Sequence, residues 1–252
     1  MTIPLASQTA FIFILVFARL GSMLMAMPAI GDSLVPARVR LVTALVISFV
    51  MVPVLRDVYG TLPSSLTAMV FALFGEIMVG VFIGLSARMI MSALSVAGTT
   101  IAFQSGLAFA QTFDPTQGVQ SALITSFMSM LAVAMIFALD LHHVIFAAVR
   151  DSYVLFKPGE LLPLESFAQM ALQTVAGSFK IALQMSAPFL VFGLMFNLGI
   201  GLLSRLMPQV QIFFVAMPAN ILLGFVLFTM LLSTMMMWFF DYFGESMNEY
   251  VR

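Results

Sequence analysis

Few side chains in this chain are equipped for chemistry, and each is set among apolar neighbours. Glu76 stands well inside the apolar run 66–88. A carboxylate at such depth is costly, and it marks either an ion path or an ion pair that fixes helix packing. Gly80 and Gly84 follow at four-residue spacing, so Glu76, Gly80 and Gly84 share one helix face. Gly-x-x-x-Gly is also the spacing that lets membrane helices approach closely. Arg19, Lys180 and Arg205 are cations that could meet Glu76, and spacing does not choose among them.

A second cluster is Asp140-Leu141-His142-His143. Aspartate and histidine are metal-ligand types, but helix neighbours point in different directions. The two rings are therefore expected to diverge, which leaves structural or interfacial polarity and no metal site. No H-E-x-x-H pair and no G-x-S-x-G elbow occurs. The reading is no catalytic residue, no cofactor and no enzyme.

Two further constellations suit contact rather than catalysis. Gly193, Asn197 and Gly201 recur every four residues and put an amide between two small residues on one face, a pattern for helices that touch and hydrogen-bond. Downstream, Arg205, Gln209 and Gln211 are too polar to face lipid and should meet protein or water. The stretch AFAQTFDPTQG (108–118) is a short polar turn between apolar segments. Asp114-Pro115 initiates a turn, Gly106 and Gly118 offer hinge points, and Phe109 and Phe113 flank Gln111 with one charge in the stretch. On residues alone it is either an ordinary interhelical turn or a stopper able to leave a dry pore without stripping ions of water.

The elements that must carry these groups follow from composition. Of 252 residues, 62% are hydrophobic and 8% charged, against roughly 25% charged in soluble domains. Residues 89–113, 115–139, 181–204 and 206–240 contain no Asp, Glu, Lys or Arg. A membrane-crossing helix needs about 20 apolar residues, and no ten-residue alternation suggests a β-barrel. The fold class is all-α and polytopic. There is no cysteine, hence no disulfide or thiolate site. A net charge of −1 argues against nucleic acid. No Lys or Arg precedes the first apolar run, so it is expected to be retained rather than cleaved as a signal peptide.

Punctuation by proline, glycine and charge predicts about seven apolar segments, near 9–28, 39–55, 66–88, 89–111, 120–149, 167–204 and 209–240. Residues 150–166 read as the longest polar connection and 241–252 as a short acidic tail. With a break near Arg88, the Lys/Arg asymmetry puts the C-terminus in the cytoplasm. Pro188, Pro208 and Pro218, with the glycines of 177–224, favour a bent hairpin packed on other proteins.

The segment NLGIGLLSRLMPQVQIFFVAMPANILLG (197–224) resembles the C-terminal signature of the flagellar FliR family of type III export-gate proteins. Ser204-Arg205, Pro208-Gln209 and Ile212-Phe213 carry the likeness. The chain departs at Gln211, where the family usually has Asn, another neutral amide. Arg19, Pro28, Pro36, Arg38 and Pro53 fall in the family's N-terminal order. Glu76-Gly80-Gly84, then Gly98, Gly106 and Asp114-Pro115, and then LDLHHVIFAAVRDSYVLFKPG (139–159) match its later blocks. The resemblance implies a core subunit of the flagellar export gate in the bacterial inner membrane, at the flagellar basal body, its bent hairpins assembling into a helical cone held largely above the bilayer plane. Implied partners are FliP-, FliQ-, FlhA- and FlhB-type proteins, with unfolded flagellar subunits as cargo. It further implies a FliP-like part at 1–167 and a FliQ-like hairpin at 168–240. Phe109, Gln111, Phe113, Asp114 and Pro115 become a channel plug hinged at Gly106 and Gly118. The interface would hold Glu76, Gly80, Gly84, Gly193, Asn197, Gly201, Arg205, Pro208, Gln209, Gln211 and Phe213.

Rival readings are the equivalent injectisome subunit and a stand-alone transporter, the latter motivated by Glu76 and Lys180. Many transporters carry paired internal repeats, and none is found here.

Overall fold

A computed structural model describes residues 3–32, 35–59, 65–107, 123–159, 164–209 and 212–250. The described residues form seven helices and no strand: α1 (Ile3–Ala26), α2 (Ala37–Leu55), α3 (Leu66–Gln104), α4 (Leu123–Ala138), α5 (Leu141–Leu155), α6 (Leu164–Leu206) and α7 (Ile212–Asn248). Stretches of five of them, Gln8–Ala26, Ala37–Leu55, Leu66–Gln104, Glu165–Leu206 and Val215–Asn248, are long and apolar enough to cross a membrane. The chain is an all-α polytopic membrane protein, its backbone hydrogen bonds closed within helices as an apolar medium requires.

Several expected boundaries move. The segments predicted at 66–88 and 89–111 are one helix, α3, unbroken at Arg88. Neither proline nor a turn sequence interrupts it there, and Ala87 and Ile90 are fully buried on one face. Arg88 therefore lies within a helix, and the orientation count that used a loop there loses its basis. The segment expected at 120–149 is instead divided at Asp140, whose φ of 58° ends the run before α5. The connection expected at 150–166 is shorter, because α5 continues to Leu155 and α6 begins at Leu164. Pro188 and Pro218 sit inside continuous helices. The acidic tail is helical to Asn248, with Phe243, Met247 and Tyr250 buried at i, i+4, i+7 spacing.

The chain separates into two compact units, each assembled from distant stretches. The first comprises Met1–Ile90, Phe137–Val175 and Phe243–Arg252. Its core takes Val16, Leu20, Met23 and Leu24 from α1, Ile83 and Ala87 from α3, and Ile145, Ala148 and Val149 from α5. The second comprises Met91–Ile136 and Ala176–Tyr242. Leu94, Ala97 and Ile101 of α3, Met128 and Ala132 of α4, Met185 and Phe189 of α6, and Phe239 of α7 are buried there. These positions repeat every three or four residues, the stripe of a helix packed on one side.

The opposite faces are apolar and uncovered. Only 17% of the apolar window of α6 and 11% of that of α7 is buried within the chain. Phe71 is 76% exposed, and Met130 78%. Uncovered apolar surface on this scale has to be matched by lipid or by other protein.

Candidate functional site

In the first unit, Arg19 of α1 reaches both α3 and the end of α5. Its Nε donates to Glu76 Oε2 at 2.6 Å and its Nη2 to Glu76 Oε1 at 3.0 Å. Nη1 donates to Ser152 Oγ at 3.0 Å, and Nη2 also donates to the Phe156 carbonyl at 3.1 Å. The guanidinium carbon stands 3.9 Å from the centre of the Tyr153 ring. Four of the five N–H donors of the guanidinium are thus used, and its flat face is covered by an aromatic ring. Both charged side chains are 2% exposed or less. A bidentate fork is the geometry in which arginine and carboxylate bind most strongly.

Tyr59 packs edge-on against Tyr153 at 6.0 Å. Burial pushes its hydroxyl well above the usual phenol range, so it stays protonated. Beside Arg19 and Glu76 lies a cavity of about 530 Å³, lined among others by Phe71, Phe74, Gly75 and Phe156. Among the three cations that sequence offered for Glu76, the structure selects Arg19. Ser152, Tyr153 and Phe156 were not anticipated, because 150–166 read as a connection. Their signal was the spacing Ile145, Val149, Ser152, Phe156, a single helical face.

The glycines following Glu76 admit α1. A side chain at Gly80 would occupy the place of the Arg19 carbonyl and Ser22 Oγ. At Gly84 an added Cβ would stand 2.6 Å from Ala26 Cβ and 2.7 Å from the Met23 carbonyl. Two backbones meet here, and α1 is thereby held at the depth that brings Arg19 to Glu76.

Asp140, His142 and His143 do not diverge as expected. Their ligand atoms all lie within 4.8 Å of one another, and the two imidazole centroids are 4.2 Å apart. The left-handed Asp140 precedes the first turn of α5 and turns its carboxylate back, so Oδ1 comes 3.7 Å from His143 Nδ1. Asp140 and His143 are exposed, at 76% and 70%, where an ion pair is weak.

In the second unit, the last turn of α3 is closely held. Gln104 fills the space a side chain at Gly193 would need, and Ser105 does so for Gly224. Gly106 adopts φ +74°, and a Cβ there would stand 2.9 Å from Asn220 Nδ2. That amide donates to the Gln104 carbonyl at 3.4 Å. Sequence reasoning does not single out Asn220, Gln104 or Ser105; an asparagine two residues after Pro218 in an apolar run is the available signal.

The remaining expected contact residues separate. Gly193 is buried, whereas Asn197, Gly201, Arg205, Pro208 and Gln209 are exposed on the chain. Among the described residues, nothing beyond its own helix backbone lies within 4 Å of a Cβ at Gly201. Phe109, Gln111, Phe113, Asp114, Pro115, Gly118 and Gln211 lie outside the described residues, as does the side chain of Phe213.

Comparison with known proteins matches residues 10–246 to the family described as "Bacterial export proteins, family 1". The flagellar biosynthetic protein FliR of Caulobacter vibrioides is 40% identical over 246 residues, covering 96% of this chain and 98% of that protein. FliR of Bacillus subtilis is 30% identical, covering 88% and 86% of the two chains. FliR of Escherichia coli K12 is 29% identical, covering 91% and 87%. On a match that spans nearly every helix, the chain belongs to family 1 of the bacterial export proteins, the family of the flagellar FliR proteins.

Proposed function

We propose that this protein is a core subunit of the flagellar type III export gate, which helps form and plug the channel through which unfolded flagellar subunits leave the cell. The observation that carries the reading is the exterior of α6. Asn197, Gly201 and Arg205 are exposed on a helix of which little is buried within the chain. An amide and a guanidinium are costly against hydrocarbon, whereas a sister helix can meet both. Membership of the export family supports the same reading.

On this proposal the partners are FliP- and FliQ-type proteins in the gate, with FlhA- and FlhB-type proteins beside it. The site is the inner membrane at the flagellar basal body. The parts 1–167 and 168–240 correspond to FliP-like and FliQ-like portions of a helical cone. The chain acts by packing and sealing, without catalytic residue, metal or cofactor. Residues 108–118 form the plug.

A strain lacking the gene tests it. Loss of motility restored by the chain, together with co-purification of FliP- and FliQ-type proteins from mild detergent, is the expected result. A chain that purifies alone and transports solutes in liposomes would overturn it.

A further inference from the structure

The end of α3 is seated from two sides. Gln104 enters the space left by Gly193 of α6, and Ser105 enters that left by Gly224 of α7. Asn220 of α7 lies one turn before Gly224, so both face the same place. Its Nδ2 donates to the carbonyl of Gln104, the last residue of α3. Ser105 is fully buried and bonds back to the Ile101 carbonyl at 2.7 Å. Three consecutive residues therefore meet three separate partners, two of them glycines whose contribution is room.

Gly106 looks like a hinge by residue type, but a hinge needs clearance and it has none. Its φ of +74° suits glycine, and the Asn220 amide occupies the volume beside it. Lifting the turn away would leave a carbonyl and an amide unpaired in apolar surroundings. It would also open voids at Gly193 and Gly224 that nothing nearby fills.

We infer that Gln104–Ser105–Gly106 is a fixed root rather than a hinge: the end of α3 stays seated on α6 and α7 while cargo passes, with Asn220 as its positioning residue. The inference rests on the export reading above.

Engineered cysteines test it cleanly, since the chain has none of its own. In Gln104→Cys with Gly193→Cys the two Cβ positions are 3.3 Å apart, near the usual disulfide range of about 3.5–4.5 Å. The pair is expressed as full-length chain in the deletion strain, oxidised in the assembled gate and then reduced. Flagellar protein released to the medium is measured in each state. The expected result is complete cross-linking with no loss of export relative to the reduced form. Export lost on oxidation and regained on reduction would overturn the inference, and so would absence of cross-linking. If the first pair does not accumulate, Gly106→Cys with Asn220→Cys reads the same turn from α7, its Cβ positions being 3.7 Å apart, within the usual disulfide range. Failure of the unmodified chain to restore export would instead overturn the export reading itself.

Discussion

Arg19 of α1 holds Glu76 of α3 in a two-point fork, at 2.6 and 3.0 Å, and neither side chain reaches solvent. The residues are 57 positions apart in sequence, so the pair exists only when α1 and α3 are packed. It fixes their register.

Removal of one partner leaves the other charge buried and alone, which costs about 3–5 kcal/mol in such pairs. Glu76→Leu should therefore strip the chain from the membrane fraction, as should Arg19→Leu. The double variant Arg19→Leu with Glu76→Leu should recover much of the abundance, because no orphaned charge remains. Quantitative blotting of membranes reads all three. A Glu76→Leu chain present at normal amounts but failing in transport would show that the carboxylate serves an ion path and not packing.

The register also depends on contact between backbones. Gly84→Ala places a Cβ 2.6 Å from Ala26 Cβ and 2.7 Å from the Met23 carbonyl. Atoms at that distance must shift, and the carbonyl belongs to a helix that Arg19 has anchored. Destabilisation of roughly 1–3 kcal/mol is expected, the range for overpacking. Adding Ala26→Gly relieves only the methyl contact, so partial recovery should follow. Protease resistance of the chain in membranes would report both steps, and full resistance of the single variant would refute the close approach.

What was legible in the sequence was what composition and period express. Charge-free runs fixed an all-helical membrane chain, and the spacing of Glu76, Gly80 and Gly84 located one packed face. The break imagined at Arg88 failed because a single charge in an apolar run was taken as a boundary, whereas Arg88 pairs with Asp32 at 2.9 Å from the side of a continuous helix. At Asp140 the expected divergence does not extend to the carboxylate, because Asp140 adopts φ 58° ahead of α5 and its Oδ1 comes 3.7 Å from His143 Nδ1. The seat around Gln104 was invisible for a different reason. It is built by residues 116 positions apart, Gln104 and Asn220, and no local period records such a meeting.

The segment 108–118, taken as the plug, carries one charged residue, Asp114, and two phenylalanines. A stopper of that composition can leave a dry passage with little loss of hydration. Deletion of Phe109–Thr116 should leave the gate assembled and make cells leak ions and small solutes. Conductance of planar bilayers holding the purified gate measures the leak. An assembled deletion gate with unchanged conductance would remove the plug from the proposal.

The glycines of α6 allow the interior of the chain to be told from its exterior. Gly193 faces Gln104, whereas among the described residues nothing beyond its own helix backbone lies within 4 Å of a Cβ at Gly201. Asn197, midway between them, is exposed. A leucine at each glycine should therefore fail differently. Gly193→Leu collides with the end of α3 and should lower the amount of chain even when it is expressed alone. Gly201→Leu starts from a Cβ position that no described residue crowds and should accumulate normally by itself. If a sister helix lies on the Asn197 face, Gly201→Leu should nevertheless lose its FliP- or FliQ-type partners on purification, because small residues are what permit two membrane helices to close. Asn197→Leu should weaken the same association more mildly, by about 0.6–2 kcal/mol, the span measured for hydrogen bonds between membrane helices. Normal partner recovery with both Gly201→Leu and Asn197→Leu would mean that this face meets lipid, and the exterior of α6 would no longer argue for a gate subunit.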